Sequence, residues 1–316
     1  MTGAPTPAAP APDAKAIVLA KARATARAER DFVSADALRD ELAAAGWAVL
    51  DDPGGGWHLE PVAQQGVARQ PSRPGDVVSR LEEPASDDVS LHWVCEGWTG
   101  DIVRAIASFR SHQGDRSVRY VVADVTGAAP DVFGDDVEVV SLAAGTGWAA
   151  AANAGLRRAT GRVVLVMDPS IEAVGDVLGP LEQALEDREV GIVGPFGTVT
   201  HDLREFDAAP GPGPCDAIEG YCIAMRREVL ADIGGFDEKF RWYRTADIEL
   251  SFRVKDRGLR TEVVPIEVVK HEHRMWFETD PAERAKWSKR NFYRFLDRWR
   301  DRWDLVLDPR LPGDPA

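Results

Sequence analysis

Two patterns of apolar spacing follow one another along this chain. From Asp13 to Ala45 apolar residues recur at helical spacing among Ala, Arg, Asp and Glu, with a break at Phe32 to Ser34 and Gly46 standing where a helix C-cap would. That predicts a helical hairpin. Two short apolar segments, WAVL (47–50) and WHLE (57–60), follow across a DDPGGG turn and predict a small β unit ending near residue 61. From Val89 the pattern changes. Apolar runs without polar alternation, VSLHWVC (89–95), VRYVVAD (118–124), VEVVSL (137–142), VVLVM (163–167) and VGIVG (190–194), alternate with helical stretches. In the first of these helices Ile102, Val103, Ile106 and Phe109 share one face. Continuous apolar strands suit a parallel sheet buried on both faces, and right-handed crossovers put ligands at the carboxyl ends of its strands. The prediction is an α/β fold: a mostly parallel sheet flanked by helices, plus the small amino-terminal unit.

The stretch from Pro281 is again helical. Phe292, Phe295, Leu296, Trp299 and Trp303 form an aromatic stripe, and Arg284, Lys289, Arg290, Arg294, Arg298 and Arg302 occupy the opposite face. A helix packed on the domain with a solvated basic face is expected, and peripheral contact with a membrane surface is the second reading.

These patterns divide the chain into a disordered tail (1–12), a helical module (13–61), a Pro-rich linker (62–87), the main domain (88–306) and a tail (307–316). Among the 316 residues, 44% are hydrophobic and 28% charged, which is ordinary globular composition. The net charge of −14 opposes binding to a nucleic-acid backbone. Three cysteines, Cys95, Cys215 and Cys222, form neither a disulfide framework nor a zinc site. With no leader pattern and no apolar run long enough to span a bilayer, a cytoplasmic location is expected.

Chemistry should collect at the strand ends. The second and fourth strands of the main domain deliver Asp124 and Asp168 to one edge of the sheet. A carboxylate there is costly unless a ligand or metal meets it, or unless it caps its own turn. The Gly-rich stretch 145–170 opens a helix but lacks the Walker lysine and the dinucleotide glycine spacing.

Several motifs in order carry a resemblance. GWAAAANAG (147–155), Asp168, Gly220 in EGYCIAMRREVL (219–230), GGFDEKF (234–240), TADIELSFRV (245–254) and then His271 are similar to the elements of family 2 glycosyltransferases of GT-A fold. The likeness spans roughly Val89 to Trp303. It implies an inverting enzyme that moves a sugar from a nucleotide-diphosphate donor to an acceptor hydroxyl. It implies that Asp124 contacts the nucleobase, that Gly147, Asn153 and Gly155 lie beside the nucleotide, and that Asp168 opens the Asp-x-Asp motif. By the same resemblance Asp247 is the catalytic base, Arg253 is the motif arginine, and Gly235 belongs to the acceptor side. Trp242 and Tyr243 are placed there as rings that could stack on a sugar. His271 is expected to hold Mg²⁺ or Mn²⁺ with Asp168, helped by Glu172, and His273 is taken to face the other way.

The chemistry needs such groups. In a single displacement one carboxylate takes the acceptor proton while cationic groups receive the leaving diphosphate. Two departures bear on this: Ser170 replaces the second carboxylate of Asp-x-Asp, and Ala246 with Glu249 replaces the usual Glu and Asp around Asp247. They motivate the alternative of a catalytically degenerate nucleotide-sugar-binding or adaptor protein. The segment 197–214, rich in Gly and Pro, is expected to act as a hinged lid. Residues 26–61 resemble the small carboxyl-terminal segment of cysteinyl-tRNA synthetases. This segment has no excess of basic residues, so a docking role is expected ahead of tRNA binding.

Overall fold

The computed structural model describes residues 12, 14–29, 31–45, 47–51, 56–61, 71, 73–128 and 130–310. Most of the expected amino-terminal tail, Gly46, positions 52–55 of the turn, 62–70 of the linker and 311–316 lie outside the described residues. The chain divides into two compact units, Met1–Arg69 and Gln70–Ala316.

The first unit is the predicted hairpin and β pair. Helices α1 (Ala14–Ala28) and α2 (Phe32–Ala44) are followed by strands β1 (Trp47–Asp51) and β2 (Trp57–Pro61), which pair antiparallel with Trp47 opposite Pro61. Small residues on α1 let the elements approach, so Ala16, Ala20, Leu42, Trp47 and Val49 bury together.

The second unit opens with β3 (Asp87–Cys95), α3 (Thr99–His112), β4 (Val118–Asp124), β5 (Val137–Ser141), α4 (Trp148–Leu156) and β6 (Gly161–Met167). Next come β7 (Ile171–Ala173), α5 (Leu178–Ala184), β8 (Val190–Gly194), β9 (Gly197–Val199), β10 (Asp207–Ala208), β11 (Gly213–Cys215), β12 (Ala217–Ile218) and β13 (Cys222–Arg226). It ends with α6 (Arg227–Ile233), α7 (Ala246–Lys255), β14 (Arg260–Val263), β15 (Val268–Lys270), α8 (Arg274–Glu278) and α9 (Pro281–Trp299).

Eight strands form the main sheet in the order β11-β14-β8-β13-β6-β3-β4-β5. β5, β4, β3 and β6 run parallel, as do β8 and β14, but β13 lies antiparallel between β6 and β8, and β11 antiparallel to β14. The sheet is therefore mostly parallel, as expected, with β13 and β11 reversed within it. The cause is the connection from β8 to β13: it holds no crossover helix, and without one the returning strand enters reversed. Burial on both faces makes either orientation read as a continuous apolar run.

The two-residue period of the strands sorts the core. Val121, Ala123, Val164 and Val166 face one apolar cluster with α4 and α7, while Tyr120, Val122, Leu165 and Met167 face the other with α3 and α5. On α9, Phe295 and Trp299 bury with Leu203, Phe252, Leu305 and Val306. Asp280 caps this helix, accepting from the amides of Ala282 and Glu283.

Three expectations about connecting segments are revised. The described part of the supposed linker, residues 73–87, is docked: Val77 is buried, and Arg157 donates to the Val77 carbonyl and Arg158 to that of Val78. Of the supposed carboxyl-terminal tail, Leu307 donates to Asp216 and Arg310 to the His201 carbonyl. Within the expected lid, Leu203 is fully buried and Phe206 packs edge-on against Phe252 and Phe295. Composition suggested hinges, but these apolar anchors pin the segment.

Candidate functional site

A cleft of about 890 Å³ opens over the ends of β3 and β6 and is walled by the entrance to α7 and by α8. Backbone strain gathers here. The described non-glycine residues with positive φ are Trp98, Leu203 and Thr245; the first and last line the cleft, and Leu203 precedes the lining residue Arg204. Strain of this kind costs about 1–3 kcal/mol per residue and persists where the surrounding packing enforces it.

Asp168 sits at the end of β6, as the sequence predicts. Its Oδ1 accepts from the Ser170 amide at 2.8 Å, and its Oδ2 lies 3.0 Å from His273 Nε2. That contact lacks hydrogen-bond angles, leaving His273 Nε2 buried and unpartnered, as is the Ser170 hydroxyl nearby in sequence. Asp247 lies in the first turn of α7 and reaches the same cleft. Its Oδ2 accepts from the Gly220 amide at 2.8 Å and its Oδ1 from the Ile248 amide at 2.9 Å. Burial raises its carboxyl above the usual carboxylate range, opposed by those amides and by the positive charge of Arg244. Tyr243 also lines the cleft, its ring 4.6 Å from that of His273.

The other expected site residues have different work. Asp124 is fully buried and spends its carboxylate on its own turn, accepting from Thr126 N and Oγ1 and from the amides of Gly127 and Ala128. It does not line the cleft; the capping alternative describes it. Asn153 bridges backbone, donating to the Phe236 carbonyl and accepting from the Phe236 amide, both at 2.7 Å. Gly235, at φ +78°, passes so close that a Cβ would lie 2.4 Å from Asn153 Oδ1, and at Gly147 a Cβ would lie 3.0 Å from Arg241 Cα. Both glycines serve close packing beside the cleft. Trp242 lies against Tyr243 at 5.0 Å without lining the cleft. Arg253 is held by Glu249 and by the carbonyls of Ile233 and Gly235.

The histidine preference reverses. An extended segment returns to the same side every second residue, so His271 and His273 both turn toward the loop after β6. His271 meets Glu172 at 2.5 Å, outside the cleft lining, and His273 meets Asp168. The metal-type pair is Asp168 with His273 in place of Asp168 with His271. Among the described residues no cluster of three or more His, Cys, Asp or Glu could hold a metal by itself.

Sequence reasoning passed over Glu96, Glu219 and the cleft cations. Glu96 follows β3 directly; its Oε2 is buried without a partner, and burial raises its carboxyl to about 7. Its position at a strand end was the available signal. Lys270 lies 3.4 Å from the Tyr221 ring centroid, and Arg204, Arg244, Arg274 and Lys289 also line the cleft. Such cations carry no motif of their own.

Comparison with known proteins adds to this geometry. The fold is GT-A-like: the structure of GalNAc-T7 with UDP, GalNAc and Mn2+ superposes with a TM-score of 0.55 at 15% identity, over 69% of this chain and 50% of that one. Residues 115–249, in the second unit, match the model of Glycosyl transferase family 2. An N-acetylglucosaminyl-diphospho-decaprenol L-rhamnosyltransferase of Mycobacterium tuberculosis is 30% identical over 129 residues, covering 40% of this chain and 42% of the relative. A pre-mycofactocin glycosyltransferase of the same organism is 27% identical over 182 residues, covering 50% of this chain and 38% of the relative. The chain thus spans about two fifths of the length of these relatives. Residues 10–56 match the Cysteinyl-tRNA ligase anticodon binding domain. No helix among the described residues is long and apolar enough to cross a membrane.

Proposed function

We propose that the second unit transfers a sugar from a nucleotide-diphosphate donor to an acceptor hydroxyl, with inversion at the anomeric carbon. The observation that carries this reading is the meeting of Asp168, His273 and Asp247 around one cleft whose lining also includes Arg204, Arg244 and Lys270. The family 2 match and the glycosyltransferase relatives support the same class of reaction.

In this reading Asp247 is the general base. The Gly220 and Ile248 amides fix both its oxygens, and burial brings its carboxyl toward the pH at which proton uptake is effective. As the acceptor oxygen attacks, its proton passes to Asp247 and the nucleoside diphosphate departs from the opposite face of the sugar. Arg244 and Lys270 supply positive charge for the departing diphosphate, while Arg274 nearby is paired with Asp101. Tyr243, which lines the cleft, offers a ring that suits the apolar face of a sugar.

The donor set fits a divalent ion only in part. Asp168 and His273 converge without hydrogen-bonding one another, and the Ser170 hydroxyl is unpartnered, so these residues would hold Mg²⁺ or Mn²⁺ together with donor oxygens and water. Such an ion would neutralise the diphosphate charge.

The test is donor turnover. Nucleotide sugars with uracil, guanine and thymine bases are screened by thermal shift with and without Mn²⁺, and those that stabilise the protein are assayed for nucleoside diphosphate release and product anomeric configuration by NMR. An inverted anomer is expected. Binding without any release, by transfer or hydrolysis, would favour the adaptor alternative, which Ser170 and Ala246 motivate. A docking role is proposed for the first unit because its sequence has no basic excess; since it matches an anticodon binding domain, a low-salt gel shift with tRNA tests whether the partner is RNA, and no shift is expected.

A further inference from the structure

We propose that the segment from Arg274 to Tyr293 is a docking surface for an anionic lipid bilayer, set at the mouth of the cleft. This inference stands apart from the transfer reaction and rests on how the fold divides the two faces of α9.

In the carboxyl-terminal half of α9 the basic side chains are paired. Phe295 and Trp299 are buried, Arg294 pairs with Asp237, and Arg298 pairs with Glu249; beyond the helix, Arg302 pairs with Asp256 and Asp304. The amino-terminal half differs. Lys286, Lys289 and Arg290 are exposed and have no ion-pair partner among the described residues, and Arg244 stands in the cleft wall. Their charges rest on rings. Arg244 and Arg284 lie 4.8 and 4.6 Å from the Trp276 ring centre, Lys286 and Arg290 lie 5.7 and 5.3 Å from that of Trp287, and Lys289 lies 6.0 Å from that of Tyr293. Phe277 is 60% exposed and Tyr293 55%.

The segment's own carboxylates are occupied. Glu278 accepts from the Trp98 indole, Asp280 caps α9, and Glu283 accepts from the Trp287 indole. These carboxylates meet neutral N–H donors and form no ion pair with Lys286, Lys289 or Arg290, so a chain of net charge −14 presents three unpaired cations beside exposed rings on one patch.

That combination selects the partner. Aromatic rings settle at the headgroup level of a bilayer while adjacent Lys and Arg reach lipid phosphates. A nucleic-acid backbone would satisfy the cations but offers no continuous apolar layer for Phe277 and Tyr293, which a bilayer supplies together with its phosphates. The remaining negative charge is repelled by the same surface; screening over about 10 Å at 0.1 M salt confines attraction to the patch and so orients the molecule. Met275, Phe277, Lys289 and Phe292 belong to both patch and cleft, so docking turns the cleft mouth toward the lipid.

The experiment is co-sedimentation of the full chain with phosphatidylcholine vesicles and with vesicles containing phosphatidylglycerol, at about 0.1 M and about 0.5 M salt. Binding to the anionic vesicles alone is expected, lost at the higher salt. The double variant K286E/R290E should bind at least tenfold more weakly with unchanged helix content, and Tyr293→Ser should bind several-fold more weakly. Absence of binding at low salt, equal binding to neutral vesicles, or wild-type binding by the double variant would each overturn the proposal. So would binding to heparin with none to vesicles.

Discussion

Glu96 and Asp247 are both carboxyls that burial makes reluctant to ionise, yet only Asp247 has amides to hold its charge. The Glu96 carboxyl is raised from 4.5 to about 7, so the native state keeps its proton where the unfolded chain has lost it. Stability is then fully present below about pH 4.5 and declines as pH rises through 7. Glu96→Gln removes this dependence. Relative to wild type it should gain up to about 3 kcal/mol at pH 8 over its effect at pH 5. Urea unfolding at the two pH values measures this, and an equal difference at both would contradict the assigned burial. A second prediction separates the histidines. His273→Ala should weaken Mn²⁺-dependent donor binding by about tenfold or more, and His271→Ala by less than threefold, in calorimetric titration. The reverse order would restore the sequence expectation.

At this scale legibility depended on whether a residue's role lies in its position or in its partner. Asp168 was readable from its place at a strand end and Asp247 from its place in the motif order, and both line the cleft. Asp124 shares such a position, but its turn supplies four donors to its carboxylate, which no spacing pattern shows. Asn153 and Gly235 form one packing contact that appears in sequence as two separate motif residues.

Among the elements, α7 ties the cleft to the rest of the unit. Glu249, almost fully buried, pairs with Arg253 at 2.9 Å and with Arg298 of α9 at 2.9 Å. Removing one partner of a buried pair leaves a charge that its surroundings cannot solvate. Arg253→Met should therefore cost about 3 kcal/mol or more, partly relieved by Arg298. Chemical denaturation checks this, and a cost near zero would mean that Arg298 alone suffices. Helix α9 and most strands were legible from periodicity, since burial on one or both faces writes directly into apolar spacing. The reversed β13 was not, because direction leaves no trace in a strand apolar on both sides. The docked segment at 73–87 was missed because its Pro and Gly content hides Val77 and the arginine contacts that secure it.

At the scale of the whole molecule, the chain forms two compact units, and the cleft proposed as the donor site brings Arg204, Arg244, Lys270, Arg274 and Lys289 among its carboxylates in a chain of net charge −14. The order of motifs made the GT-A fold legible, and the mixed sheet brings 168, 247 and 273 to one cleft from distant parts of the chain. The measurement that reaches this most directly is the split between donor affinity and turnover in Asp247→Asn. Calorimetry on the best donor should give a dissociation constant within threefold of wild type, while nucleoside diphosphate release should fall by about 10²–10⁴. Turnover close to wild type would remove Asp247 from the chemistry and with it the assignment of this cleft as the transfer site.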